Sequence, residues 1–404
     1  MAKFKYKGRH NNGKQTSGFV EAETKQQAIQ KLKKDDIYPT QVVIEGLGNR
    51  EFNIPNPFNS VTPRDLSAFC RQFQTMAKAG ISIVEILDIL RKQSEKKAMR
   101  EKLDVLFQDV QKGIPLSRSM QRYTDVFPKL LVNMVQSGEV SGQLDSIMDR
   151  MAIHFEKEDK INQKIKGALI YPIALTVVAI GVILILVIFV VPSYMSMFAD
   201  FGIEMPLITL LLYNTGLFMK KNLLLLIIGT LLAGYGFYRF LKTDEGAGMF
   251  DRFKLKLPVV GSVNKKIVTM RFARTLSTML SSGVPIIDAM ETIAGVLGNT
   301  VFIKAVENTL DQVKKGEGIA KPLESVNLFP PLLVSMIRIG EETGALDTML
   351  DTTADYYDDE VDIAIESMIK LIEPMIILVM AFVVGGILLS IITPMIKLYT
   401  DLNI

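Results

Sequence analysis

The chain predicts a mainly α integral membrane protein with two repeated cytoplasmic helical bundles, three transmembrane helices and a small N-terminal ββαβ unit. Two observations carry this. The octapeptide Gly138-Glu139-Val140-Ser141-Gly142-Gln143-Leu144-Asp145 recurs 202 positions later as Gly340-Glu341-Glu342-Thr343-Gly344-Ala345-Leu346-Asp347. A period of half the chain marks a duplicated unit. In addition, Ile173–Val191, Leu223–Tyr238 and Met375–Thr393 contain no charged residue. Each approaches the length of about 20 residues that crosses a hydrocarbon layer.

Taken in order, residues 1–45 read as the ββαβ unit. Phe4-Lys5-Tyr6-Lys7 alternates, Asn11-Asn12-Gly13 signals a turn, and Gly18-Phe19-Val20-Glu21-Ala22 returns the chain. Thr24 can cap a helix to about Lys34, and Tyr38–Ile44 is rich in β-branched residues. Gly8-Arg9-His10-Asn11-Asn12-Gly13-Lys14 matches seven positions of a phosphate-binding loop. The eighth is Gln15, where a magnesium-ligating Ser or Thr belongs, and a strand rather than a helix is expected to follow. A hairpin turn is the better reading.

Residues 46–62 are a linker, and Thr62-Pro63 starts the first bundle, 63–168. Phe69-x-Arg71 leads to Gly80, as Phe272-x-Arg274 leads to Gly283. Leu66, Phe69, Phe73 and Met76 share one helical face, as do Ile83, Ile86, Leu87 and Leu90. About six helices are expected in each bundle. The first span is 169–192, followed by an external loop at 193–222 whose Pro206–Met219 lies at the membrane interface or packs externally. A second span, 223–241, and a connector, 242–265, lead to the second bundle, 266–370. The third span is 371–394, with a short external tail at 395–404. Pro172 and Pro374 stand near the entries of the first and third spans, and Pro192 and Pro394 are expected to end them.

Both repeats have the same order of bundle and span. They should lie on one side of the membrane, so an even number of crossings separates them, and 223–241 must supply the second. Lys157, Lys160, Lys164 and Lys166 precede the first span. Arg239, Lys242, Arg252 and Lys254 follow the second, whereas the loop between the two holds only Lys220 and Lys221. The positive-inside bias places both repeats in the cytoplasm.

Composition excludes several functions. The net charge of +3 gives no strong basic excess for nucleic acid, and the single Cys70 forbids an intrachain disulfide. No apolar run opens the chain, so a cleavable signal peptide is not expected. The two histidines, His10 and His154, fall in different units, with no metal-ligand spacing and no nucleophile motif. No catalytic, metal or cofactor site is expected, and the chain is not read as an enzyme. A transporter or channel subunit is the alternative, but the spans lack the mid-depth ionisable residues that an ion or substrate path uses.

The tandem Phe-x-Arg…Gly signature, the doubled Gly-Glu-x-x-Gly-x-Leu, and the Tyr171-Pro172 and Glu373-Pro374 entries resemble one family. It is that of the inner-membrane platform proteins of type IV pilus assembly and type II secretion (the PilC/GspF family). The similarity runs through essentially the whole chain. It implies a multi-pass protein of the bacterial inner membrane, surrounded by lipid and assembling as a homo-oligomer. Its implied partners are a hexameric assembly or secretion ATPase, pilins or pseudopilins, and other inner-membrane assembly proteins. The ATPase would engage the cytoplasmic domains and drive the transfer of pilins into a fibre.

The candidate motif therefore comprises Arg71, Gly80, Gly138, Glu139, Gly142, Leu144 and Pro172, with Arg274, Gly283, Gly340, Glu341, Gly344, Leu346, Glu373 and Pro374. Gly138 and Gly142 are expected at a helix corner. Glu139 and Glu341 are candidates for internal ion pairs with Arg71 and Arg274. The helix before the first span is mixed and Lys-rich, with Glu156, Glu158 and Asp159 among its lysines, and its counterpart is acidic. Complementary pairing of the two stalks, within or between protomers, would join Lys157, Lys160 and Lys164 to Asp358, Asp359 and Asp362.

Overall fold

The computed structural model describes residues 2–10, 15–22, 24–34, 37–44, 60–200 and 207–401. The chain divides into two compact units, Met1–Ser60 and Val61–Ile404.

The first unit is a three-stranded antiparallel sheet with one helix. Strand β1 (Ala2–His10) is central, flanked by β2 (Gln15–Ala22) and β3 (Ile37–Ile44). Helix α1 (Lys25–Lys34) buries Ala28 and Leu32 against Ala22. Pro39 is accommodated because β3 is an edge strand, which can lack a ladder donor. Gly8–His10 belong to β1, and Gln15 begins β2. No helix N-terminus follows Lys14 to receive a phosphate. The turn residues Asn11–Lys14 and the linker at 45–59 lie outside the described residues.

In the second unit, the first bundle contains α2 (Pro63–Lys78), α3 (Ile83–Gln93), α4 (Lys97–Gln111), α5 (Leu116–Met120) and α6 (Lys129–Ser141). The base of α7 (Leu144–Ile185) completes it. Asp65 Oδ2 caps the start of α2, accepting from the Thr62 N–H at 2.7 Å and its hydroxyl at 2.6 Å. The apolar face predicted from spacing is the buried one: Leu66, Phe69 and Phe73 on α2, and Ile86, Leu87 and Leu90 on α3.

Beyond α7, a π turn at Leu186–Val190 leads into α8 (Val191–Asp200). Next come α9 (Leu207–Lys221), α10 (Leu223–Leu241) and α11 (Asp244–Lys256). The second bundle repeats the first with α12 (Val260–Leu280), α13 (Ile286–Ala294), α14 (Thr300–Val313), α15 (Ala320–Val326) and α16 (Pro331–Thr343). Helix α17 (Leu346–Asp401) is the counterpart of α7. Equivalent aromatic pairs anchor both cores: Phe69–Phe127 at 5.9 Å and Phe272–Phe329 at 5.0 Å between ring centroids.

Among the described residues, three helices are long and apolar enough to cross a membrane: those of Leu144–Ser196, Leu223–Leu241 and Leu346–Thr393. Helix α10 buries none of its residues, so its apolar surface requires a lipid environment. The 56 residues of α17 extend about 84 Å at 1.5 Å per residue. Bundle and span thus share one rod in each repeat.

The prolines correct the sequence reading. Pro172 and Pro374 are interior to α7 and α17 rather than near helix starts, and neither Pro192 nor Pro394 ends its helix. A proline removes one N–H and crowds the carbonyl four residues back. Before Pro192, the wider π turn supplies the needed room.

Helix α9 packs on both rods. The Thr209 hydroxyl donates to the Ser390 carbonyl of α17 at 2.8 Å. A Cβ at Gly216 would stand only 2.2 Å from the Val187 carbonyl oxygen, so glycine permits this approach. Leu212 and Tyr213 close over Val187, Val191, Met195, Ile387 and Ile391.

Candidate functional site

The duplicated octapeptide forms the corner where each bundle turns into its rod. Gly142 ends α6 at φ 72° and Gly344 ends α16 at φ 73°, a left-handed conformation that only glycine adopts without strain. Gly80 and Gly283 follow α2 and α12 in the same conformation. Leu144 and Leu346 are the first residues of the rods. The rods fold back tightly on the preceding helices: a Cβ on Gly340 would lie 2.7 Å from Leu346 Cα, and one on Gly138 3.0 Å from Ile147 Cγ1.

The expected Glu–Arg pairs do not form. Glu139 instead caps α5, accepting from the Leu116 N–H at 2.5 Å, the Ser117 N–H at 3.2 Å and the Ser117 hydroxyl. Glu341 does the same for α15, through the N–H groups of Ile319 and, at 3.2 Å, Ala320. A carboxylate at a helix N-terminus meets unpaired donors and the positive end of the dipole, which competes well with a distant guanidinium. Replacing Glu139 by Ala should cost about 1–2 kcal/mol. Amide exchange should quicken first at Leu116–Met120; unchanged protection there would exclude the cap.

The arginines face the rods. Arg71 pairs with Asp149 at 2.5 Å and approaches Glu156 at 3.7 Å, in an exposed setting. Arg274 is only 8% exposed and holds Asp351 at 2.8 Å, Asp355 at 2.5 Å and Asp358 at 2.7 Å. Burial alone would lower the Arg274 pKa, but Asp355 and Asp358 outweigh it and raise it. Burial would likewise raise Asp355, yet Arg274 and Lys157 hold it below the usual carboxylate range. Asp149 and Asp351 are equivalent residues, each four positions beyond the octapeptide's final Asp. That one-turn spacing was the available signal for the true partners.

The two rods lie side by side. Lys157 reaches Asp355 at 3.1 Å and Asp358 at 3.4 Å, and Lys164 reaches Asp362 at 2.5 Å. Lys160 pairs instead with Glu156 of its own helix at 2.9 Å, and Asp359 is exposed. Lower on the rods, the Tyr171 hydroxyl donates to Glu373 at 3.4 Å. Pro172 and Pro374 follow these two residues.

His154 sits at this junction, well before the apolar span. Burial, then the charges of Arg274 and Arg271, push its pKa down to about 4. Its Nδ1 has no hydrogen-bond partner among the described residues. With a depressed folded pKa, it binds a proton first in the unfolded chain. Its contribution is therefore destabilising as pH falls from about 6.5 to about 4, by on the order of 3 kcal/mol. Melting temperature should fall less steeply across that window in His154→Leu than in the parent; parallel slopes would exclude His154 as the source.

A family model described as type II secretion system protein F matches residues 69–192 and again 272–394, and a model of that family's N-terminal domain matches 1–43. The chain belongs to the type II secretion system protein F family. The two matched segments run from Phe69 and Phe272 to Pro192 and Pro394, so the family's unit is a bundle together with its rod. The type IV pilus assembly protein PilC of Myxococcus xanthus is 36% identical over 98% of this chain and 95% of its own. PilC of Thermus thermophilus is 35% identical over the full length of both chains. The type II secretion system protein F of Vibrio cholerae is 32% identical over 98% of each. Family membership and the three apolar helices make this an inner-membrane protein.

Proposed function

We propose that the chain is the inner-membrane platform of a type IV pilus or type II secretion machine. The names and near-complete coverage of its relatives support that reading. Both bundles and the N-terminal unit face the cytoplasm, in keeping with the flanking lysines and arginines. There a hexameric ATPase engages the bundles, and the rods carry the displacement to pilins or pseudopilins in the membrane. The chain itself does no covalent chemistry in this scheme.

The observation that carries the coupling is the absence of a joint. Helices α7 and α17 run unbroken from bundle into apolar span, Lys157 and Lys164 tie the two rods together, and Arg274 of α12 ties the second bundle to α17. A helix transmits torque and translation along its axis, whereas a flexible linker absorbs them. Four glycines inserted after Lys166 and after Lys370 should leave the protein in the membrane but abolish surface fibres or secretion. Undiminished fibre assembly or secretion with both insertions would overturn transmission through the rods. Labelling of a cysteine at Val140, which is 86% exposed, only after the inner membrane is opened would agree with the cytoplasmic side.

A further inference from the structure

The two repeats meet through unlike faces. The first contributes α6 and the base of α7; the second contributes the end of α12, α13 and the base of α17. Asn133 donates to the Thr292 hydroxyl at 2.7 Å, Ser137 donates to the Ser282 carbonyl at 3.1 Å, and Arg150 donates to Ser281. Because the repeats are equivalent, each half of this junction exists twice. The second repeat carries its own α16–α17 face, and the first its own α2–α3 corner with the outer side of α7. These second halves are open. Asn133 and Ser137 are half-buried, whereas their counterparts Ser335 and Ile339 are exposed, Ile339 by 45%. Thr292 is 3% exposed, whereas its counterpart Ile89 is only half-buried.

We propose that the open halves join two copies of this chain: α16–α17 of one copy docks on the α2–α3 corner and α7 of the next, repeating the internal junction. A contact between unlike faces leaves one of each unused, and a further copy satisfies both. Two features of the residues support a second copy as the occupant.

The first is charge. The internal pair Lys164–Asp362, at 2.5 Å, becomes Glu366 facing Lys160 when each residue is replaced by its counterpart. The signs exchange, and the pair stays complementary. Both side chains can be recruited: Lys160 is 65% and Glu366 71% exposed, and among the described residues each pairs only with a residue one turn away on its own helix. Likewise Arg338, the counterpart of Gln136, comes to the position that faces Glu85, the counterpart of Asp288. Gln136 and Asp288 line one cleft of about 710 Å³ between the repeats. At the centre, Ile339 meets Ala79, a large apolar side chain against a small one, where Ser137 meets Ser282 internally. The pair nearer the bundles does not transfer, since Lys157–Asp358 becomes Asp359 facing Glu156, so the charge match between copies rests on Lys160–Glu366 and Glu85–Arg338.

The second is geometry. Tyr171 and Glu373 are equivalent positions in contact, so the internal junction sets the rods at one height. Repeating that junction keeps every copy at the same depth, as a shared membrane demands.

The test is cross-linking of full-length chains in membranes. Two differently tagged copies are co-expressed, one carrying Lys160→Cys and the other Glu366→Cys; the native Cys70 is fully buried. A mixed cross-linked product is expected, several-fold above the like-with-like products of either variant alone. Lys164→Cys with Asp362→Cys in one chain reports that the fold and the chemistry are intact. If that internal pair closes while no mixed product forms, or if like-with-like products match it, the proposal is overturned. Glu366→Lys should reduce co-purification of the two tags several-fold, and Lys160→Glu in the neighbouring copy should restore it. Failure of that rescue would also overturn the pairing.

Discussion

Arg274→Leu should destabilise the second bundle by about 2–3 kcal/mol, whereas Arg71→Leu should cost less than about 1 kcal/mol. The two arginines are equivalent in sequence and unequal in setting. Arg71 is 44% exposed at its side chain and pairs with an equally exposed Asp149, so water takes over most of what it loses. The Arg274 side chain is 10% exposed and holds three carboxylates on α17 that stand within one another's repulsion. Its removal leaves Asp351, Asp355 and Asp358 facing one another, with Lys157 as the nearest remaining cation to the last two. The loss stays below that of a fully buried pair because Asp351 and Asp355 reach solvent. Arg274→Lys should recover only part of the loss, since a point charge cannot hold three acceptors as a guanidinium fork does. Thermal unfolding of the purified, lipid-supported protein decides this. Equal losses from the two leucine variants would sink the distinction.

Gly340→Val should cost about 2–3 kcal/mol by forcing α16 and α17 apart. The first added carbon would stand 2.7 Å from Leu346 Cα, and backbone cannot rotate aside as a side chain does. Gly138→Val should be milder, because the nearest atoms there are side-chain carbons of Ile147 and Leu144 at 3.0 and 3.1 Å. Gly385→Ala provides the control, having nothing within 4 Å of the added carbon. The openness at Gly385 also shows that this glycine serves no close helix approach within one chain. Hydrogen exchange across 331–350 should reveal the opened corner in Gly340→Val. Protection like that of Gly385→Ala would mean that the corner tolerates the bulk.

Much of the architecture was readable because it depends on local chemistry. Octapeptide, Phe-x-Arg and proline spacings recur, and recurrence needs no coordinates. Apolar spacing located the buried faces of α2 and α3 because a helix repeats every 3.6 residues. The arginine partners were not readable in the same way. Glu139 and Asp149 are both acidic residues near the corner, and which of them reaches Arg71 depends on how α7 folds back over α2. Glu139 was lost to the arginine because α5, a five-residue helix with no capping side chain of its own, presents unpaired N–H groups to it.

Duplication, three apolar spans, the charge contrast between stalks and the family were all set out in the linear chain, because composition and period are properties of order alone. Three things waited for the fold. One is the continuity of bundle and span as a single rod, since a proline read as a helix boundary can be absorbed where neighbouring turns widen. Another is the capping role of Glu139 and Glu341. The last is the inequality of the two repeats: Arg274 is enclosed and Arg71 is not, because the second bundle's α12 packs against both rods while α2 packs against one. Equivalent sequences acquire different energies when only one of them lies at the junction, where desolvation strengthens every charge.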